Sequence, residues 1–253
     1  MSIHKTEAIV LNRYDSGETS IIANLYTKDF GKIGGILKGI RQDPLRFASR
    51  LDLFSHNEIV FYKKRSSALH LISQCDLKNN FDRIRLDLNK VSTAHLMIEL
   101  LNMIMSQEDK NEEVFNLILD ALLELDKGND ADKIATIFKI KLLGLSGFRP
   151  HFESCVSCGS KLDAQAKFSL MLGGLLCQRC HKRDIKARPI FRGTIASILH
   201  IQKNIFRDNL TLGMNPLIKK ELCMILNAFI NNHLGKELKV QRFIDKVGNT
   251  AMR

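Results

Sequence analysis

Four cysteines within 26 residues form the one constellation in this chain with an evident chemistry. Cys155 and Cys158, then Cys177 and Cys180, make two Cys-x-x-Cys pairs with 18 residues between the inner two. Each pair can turn two sulfurs toward one point, and two pairs complete a tetrahedral thiolate shell for zinc. The separation lies in the range of about 15–20 residues used by zinc ribbons. Gly159 follows the first pair, where a tight knuckle needs a residue free to take positive φ. A redox dithiol or a pair of disulfides is the other chemistry open to such cysteines. His181 adjoins Cys180 and could replace it as ligand, but reads first as a solvated side chain. The opening MSIHKTEAIVLN holds an apolar run of four residues, against the roughly 7–15 that a secretory signal needs. No stretch approaches the roughly 18 apolar residues of a membrane helix. A cytoplasmic chain is expected, where thiols stay reduced and the metal reading gains. Four protein ligands leave no position for water or substrate, so the expected Zn²⁺, one per chain, is structural.

Other chemistry is sparse. There is no Gly-x-x-x-x-Gly-Lys-Ser/Thr phosphate loop and no His-Glu-x-x-His helix. His56-Asn57-Glu58 has the His-x-Glu of zinc deaminases, but Ser154 and Arg179 break the Pro-Cys-x-x-Cys that accompanies it. Cys75 and Cys223 stand singly in apolar runs and read as buried small hydrophobes. Met97, Met103 and Met105 read as core. No enzyme is expected. Lysine and arginine number 38 against 27 acidic residues, a formal charge of +11, which points to an anionic partner, nucleic acid ahead of a membrane surface. The excess is clustered. Residues 28–50 carry Lys28, Lys32, Lys38, Arg41, Arg46 and Arg50 against Asp29 and Asp43, and residues 179–207 carry eight basic residues against Asp184 alone. Phosphate contact and a merely solvated face are the two readings of each cluster.

The elements that must position these groups change character along the chain. Residues 1–80 contain five strand-like runs, EAIVLNR, SIIANLYT, GKIGGILKG, HNEIVFYKK and ALHLISQC, with turn residues at 15–18 and 28–31. Five strands with a polar, basic insertion at 40–55 match an OB-type barrel, a fold used to hold oligonucleotides. Gly34-Gly35 suits a bulge or sharp bend. Tyr14, Tyr26 and Phe30 offer faces for base stacking, with core packing as the alternative. Beyond Asp82 the period becomes helical, with helices expected at 91–105, 112–125, 130–146, 194–206 and 216–234. The expected class is therefore α+β: an OB-type barrel at 1–80, then a helical domain at 81–253 with a Cys₄ knuckle inserted at 150–185.

In this order the stretches TEAIVLNRYDSGETSIIANLYTKDFGKIGGILKGIR, FKIKLLGLSGFRPHFESCVSCG and FSLMLGGLLCQRC resemble the bacterial RecO family of DNA repair and recombination mediators. The resemblance implies a non-enzymatic factor that binds single- and double-stranded DNA and anneals complementary strands. It also implies help in loading recombinase onto strands coated by single-strand-binding protein (SSB), with RecR as partner and RecF as a further candidate. Nucleoid association follows. Carried over residue by residue, Lys38, Arg41 and Arg46 become the barrel's phosphate contacts, with Lys32 a weaker one. For the SSB C-terminal tail, the stripe of Ile134, Phe138 and Leu142 offers an apolar groove, with Lys133, Lys139 and Lys141 to meet carboxylates. Another zinc-ribbon nucleic-acid factor, acting in transcription or on RNA, is the alternative, and a nucleic-acid-modifying enzyme is the remaining one.

Overall fold

The computed structural model describes residues 2–43, 47–63, 67, 69–162, 165–235 and 238. They fall into two compact units, Met1–Asn129 and Asp130–Arg253. The first unit opens with β1 (Ser2–Ser16), β2 (Ser20–Thr27), β3 (Gly31–Leu37), β4 (His56–Lys63) and β5 (Leu69–Asn79). These close into a barrel in the order β1-β2-β3-β5-β4. Closure depends on β1, whose 15 residues serve two neighbours. Ser2 to Ile9 pair with β4, and Ala8 to Ser16 pair with β2, both antiparallel. A register shift between Val10 and Asn12 falls where one partner gives way to the other, the bend that an extra residue imposes on a ladder. This is the five-stranded OB-type barrel that the strand pattern implies.

The glycine pair does something other than bend the chain. Gly34 and Gly35 pair in regular register with Asn24 and Ala23 of β2, and in parallel with Leu69 and His70 of β5. A Cβ on Gly35 would lie 2.3 Å from Ile72 Cδ1. The glycine therefore makes room for the core where the barrel closes, and the ladder irregularities sit in β1 and between β4 and β5. The interval 40–55, polar and basic but for an apolar patch at Leu51, Leu53 and Phe54, contributes to the core. It delivers Ile40, Phe47 and Leu51 into the barrel core beside Leu25, Ile33 and Phe61. Leu51 and Phe54 take φ of 52° and 70°, a left-handed backbone that costs a bulky residue. Hydrogen bonds hold them there, from Leu51 N to Ser49 Oγ at 3.1 Å and from Phe54 N to Val10 O at 3.0 Å.

Three helices complete this unit: α1 (Asp82–Arg85), α2 (Leu88–Ile104) and α3 (Glu112–Lys127). Asp87 caps α2 through the amides of Asn89 and Lys90, Asn111 caps α3 through Val114, and Gly128 ends α3 at φ 99°. The second unit contains α4 (Ala131–Leu145), β6 (Lys167–Ser169), β7 (Gly174–Leu176), β8 (Arg188–Pro189), α5 (Arg192–Lys203) and α6 (Pro216–Leu234). The three strands form a small sheet in the order β7-β6-β8, and α4 packs against both α5 and α6. Asn215 caps α6 with Pro216 in its first turn, and Gly235 ends it at φ 63°. Among the described residues, no helix is long and apolar enough to cross a membrane.

Two tight-turn glycines separate backbone strain from collision. Gly17 has φ 59° with nothing within 4 Å of its would-be Cβ, whereas at Gly31, with φ 64°, that atom would meet Asp109 O at 2.1 Å. Chemical denaturation should therefore show Gly17→Ala losing about 1 kcal/mol, the left-handed cost alone. Gly31→Ala should lose on the order of 3 kcal/mol or more, because the backbone of residue 109 must also move. Equal losses would contradict this placement.

Candidate metal centre and nucleic-acid surface

The four cysteine sulfurs converge within 4.8 Å of one another. Two loops bring them there. In the first, Gly159 N donates to Cys155 O at 2.8 Å and Cys155 N to Ser160 O at 2.9 Å, with Gly159 at φ 71°. In the second, Cys180 N donates to Cys177 O at 2.9 Å, at the start of a 3₁₀ turn over Gln178–Arg183. Leu176, Ala187 and Leu162 pack around the cysteines as a small apolar cluster. Cys158 and Cys177 place their sulfurs 3.7 Å apart. Zinc–sulfur bonds of about 2.3 Å in a tetrahedron require sulfurs about 3.8 Å apart, so the donor set fits a metal of that size. The Ser160 hydroxyl, 3.1 Å from Cys158 Sγ, draws that thiol down to about 6, and it lowers Cys177 as well. A hydrogen bond to Cys158 pushes Cys180 up to about 11. Among the described residues, His181 lies outside the cluster and its buried Nε2 has no hydrogen-bond partner. Ser160 is a functional neighbour that the cysteine spacing does not announce, although its place two residues after Cys158 is a usable signal.

The basic residues of the first unit divide by what they already hold. Lys38 is exposed in the turn that leaves β3. Arg41 is exposed too, but its guanidinium reaches Gly17 O at 3.2 Å and Asp15 Oδ2 at 3.5 Å. Arg46 lies outside the described residues. Lys32 is a correction. It is 9% exposed, and its ammonium donates to Asn102 O at 2.9 Å and Met105 O at 2.8 Å. Those carbonyls lie at the C-terminal end of α2, where the helix has no amide left to offer them. Burial pulls the Lys32 pKa down, and no charge is presented to a phosphate. Of the three aromatic residues, Tyr26 is wholly buried, Phe30 packs edge-on to Phe61 at 5.2 Å, and Tyr14 is exposed.

Sequence comparison decides the family. The family described as "Recombination protein O N terminal" matches residues 1–81, and "Recombination protein O C terminal" matches residues 85–242. The chain belongs to the RecO family. It is 30% identical over 251 residues to a protein named "DNA repair protein RecO" from Syntrophus aciditrophicus, covering 96% of each chain. A protein of the same name from Thermoanaerobacter sp. is 30% identical over 250 residues, covering 98% of this chain and 100% of the relative. The one from Halalkalibacterium halodurans is 29% identical over 245 residues, at 96% and 95%.

In this RecO-family chain the stripe expected to take a partner peptide is core. Ile134, Phe138 and Leu142 are each 0% exposed, because α4 turns that face onto α5 and α6. Lys139 is buried and donates to Asn227 Oδ1 at 2.8 Å, and Lys133 donates to Leu210 O at 2.8 Å. Lys141 donates to Gln202 O at 3.3 Å and to Asn204 O. Lys141 borders a cavity of ≈ 170 Å³ shared with Arg149 and Gln202. Cys75 is buried as expected, its thiol pushed up to about 12 by desolvation. Cys223 is exposed instead. Leu222, Leu226, Phe229 and Ile230 form the inward face of α6, and one residue along a helix turns about 100° away from it.

The metal centre has a direct test. Metal-free protein titrated with Co²⁺ should take up one ion per chain and show the visible and charge-transfer absorption of a tetrahedral thiolate site. Cys177→Ser should weaken uptake and lower the folding free energy of the segment by several kcal/mol, the order of structural sites. Retention of the wild-type spectrum in that variant would contradict the assignment.

Proposed function

We propose that this protein is a DNA repair factor that binds single- and double-stranded DNA and anneals complementary strands without consuming a nucleotide. The observation that supports it most is the match of both RecO family halves, in order, across residues 1–242. On this reading the four cysteines hold one Zn²⁺ that organises the knuckle and takes no part in chemistry. The barrel contributes charge through Lys38 and Arg41, with Arg46 as a further candidate from the sequence. Arg41 must exchange its exposed contact with Asp15 for a phosphate, a small cost because solvated pairs are worth about 0–1 kcal/mol. The free energy of annealing comes from base pairing. The protein lowers the repulsion between two phosphate backbones and raises their local concentration. RecR and the SSB C-terminal tail are the expected partners, RecF is a further candidate, and the site of action is the cytoplasm at the nucleoid. The cavity lined by Arg149 is where an acidic tail would dock, with Arg149 exchanging its exposed contact with Glu153 for a tail carboxylate, since the buried α4 stripe offers it no groove.

If about four phosphates of a single strand are neutralised, log K against log salt should run with a slope near −3. Lys38→Glu with Arg41→Glu should weaken binding and slow annealing of complementary oligonucleotides together, while metal content stays at the wild-type level. Annealing that requires ATP would overturn the passive mechanism, and preference for RNA over single-stranded DNA would favour the zinc-ribbon RNA alternative.

A further inference from the structure

The two basic clusters differ in what their charges already hold. In the first unit many cations are matched with carboxylates, including Lys28 and Arg41 of the run at 28–50, although Lys38 and Arg50 form no salt bridge among the described residues. Lys5 pairs with Glu58 at 2.6 Å, Arg13 with Asp52 at 2.9 Å, Lys28 with Glu112 at 3.2 Å, and Lys63 with Glu108 at 2.7 Å. In the second unit the knuckle carries Arg179, Lys182, Arg183, Lys186, Arg188 and Arg192 within 14 residues, all exposed. Among the described residues, none of these six forms a salt bridge of 4.0 Å or less. The acids nearest in the fold are committed elsewhere. Asp184 is buried, accepting from Ser169 Oγ at 2.6 Å and from the Lys186 amide at 2.9 Å. Glu221 accepts from the Phe191 amide at 3.1 Å.

Six like charges without an ion pair, with Asp184 as the one acid in the segment, repel one another and cost stability. The metal shell would offset only about two of them, since a divalent ion on four thiolates carries a formal charge of about −2. A polyanion accounts for the rest. The spacing also suits a flexible backbone. Two cations stand in the 3₁₀ turn after Cys180 (Lys182 and Arg183), Arg188 lies in β8, and Arg192 opens α5, whose first turn holds no acid. Phe191, between Arg188 and Arg192, is 57% exposed. A large aromatic face left in water beside free cations is the combination on which unpaired bases stack.

We propose that residues 179–192 of the second unit form a DNA surface in addition to the barrel loop, one that holds the phosphates of a single strand and stacks a base on Phe191. The proposal rests on the DNA-binding function argued above and assigns a place to one strand. It gives each compact unit its own phosphate contacts, so that annealing need not draw both strands to the barrel.

The test compares salt slopes for a single-stranded oligonucleotide, measured on metal-loaded full-length protein. Replacing Arg179, Lys182 and Arg183 with glutamine should make the slope shallower by about 2, at roughly 0.7 for each phosphate no longer neutralised. A second variant, Lys186→Gln with Arg188→Gln, should make it shallower by about 1. Arg179→Lys with Arg183→Lys should keep the wild-type slope, and metal content should be unchanged throughout. Phe191→Ala should weaken binding about tenfold or more without changing the slope. Wild-type slopes in both glutamine variants would overturn the proposal, and so would metal loss at an unchanged slope, which would show that the cations serve the thiolate shell. A polyglutamate peptide that displaced the strand as well as an oligonucleotide of equal charge would replace DNA with an acidic protein as the occupant. Failure of the wild type to bind any single strand would instead remove the functional reading itself.

Discussion

An ammonium taken out of water must be met by acceptors, and this constraint decides which of the chain's many cations are left for a ligand. Lys32 closes the end of α2, and Lys139 reaches across from α4 to Asn227 of α6. Lys141 holds carbonyls at the C-terminal end of α5, those of Gln202 and Asn204, and Lys133 holds that of Leu210 beyond it. These four are structural ties inside their units. The formal excess of positive charge therefore overstates what is available, and the location of the remaining free charge carries more information than its sum.

The knuckle is where that free charge is densest, and it is also the part least able to fold on packing alone. Its strands are three, three and two residues long, and its apolar cluster is built largely from the cysteines themselves. A bound metal would fix both loops at once. That matters for function because phosphate contacts need their cations held in place, and a segment this short cannot bury enough surface to hold them. Phe152 and Phe168, stacked at 5.2 Å, and Phe229, 6.3 Å from Phe168, connect the sheet to α6 within the same unit.

Much of the architecture is legible in the sequence because local signals agree. Alternating strands, turn residues and helix caps at Asn215 and Gly235 all point to the elements observed. The cysteine spacing likewise locates the one metal-competent cluster among the described residues. What cannot be read is direction. Period alone cannot say whether the Ile134, Phe138 and Leu142 stripe faces a ligand or its own neighbours, and burial shows the second. Nor does a lysine's presence in a basic run reveal whether a helix end has already taken it, as with Lys32. Gly34-Gly35 departs from its expected bend for a related reason, since its purpose is the approach of Ile72 from a strand far along the chain. The cluster at 179–207 looks equivalent to that at 28–50 in sequence, and only in three dimensions does Lys32 prove buried and do Lys28 and Arg41 prove ion-paired.

Lysine acylation with and without bound oligonucleotide, read by mass spectrometry, tests most directly the claim that committed and free cations are different populations. In the free protein Lys38, Lys182 and Lys186 should react quickly, while Lys32 and Lys139 should react slowly whether or not DNA is present. Adding single-stranded DNA should protect Lys182 and Lys186 most, and Lys38 as well. Rapid modification of Lys32 in the folded protein, or equal reactivity of Lys182 and Lys186 in the two states, would contradict the account.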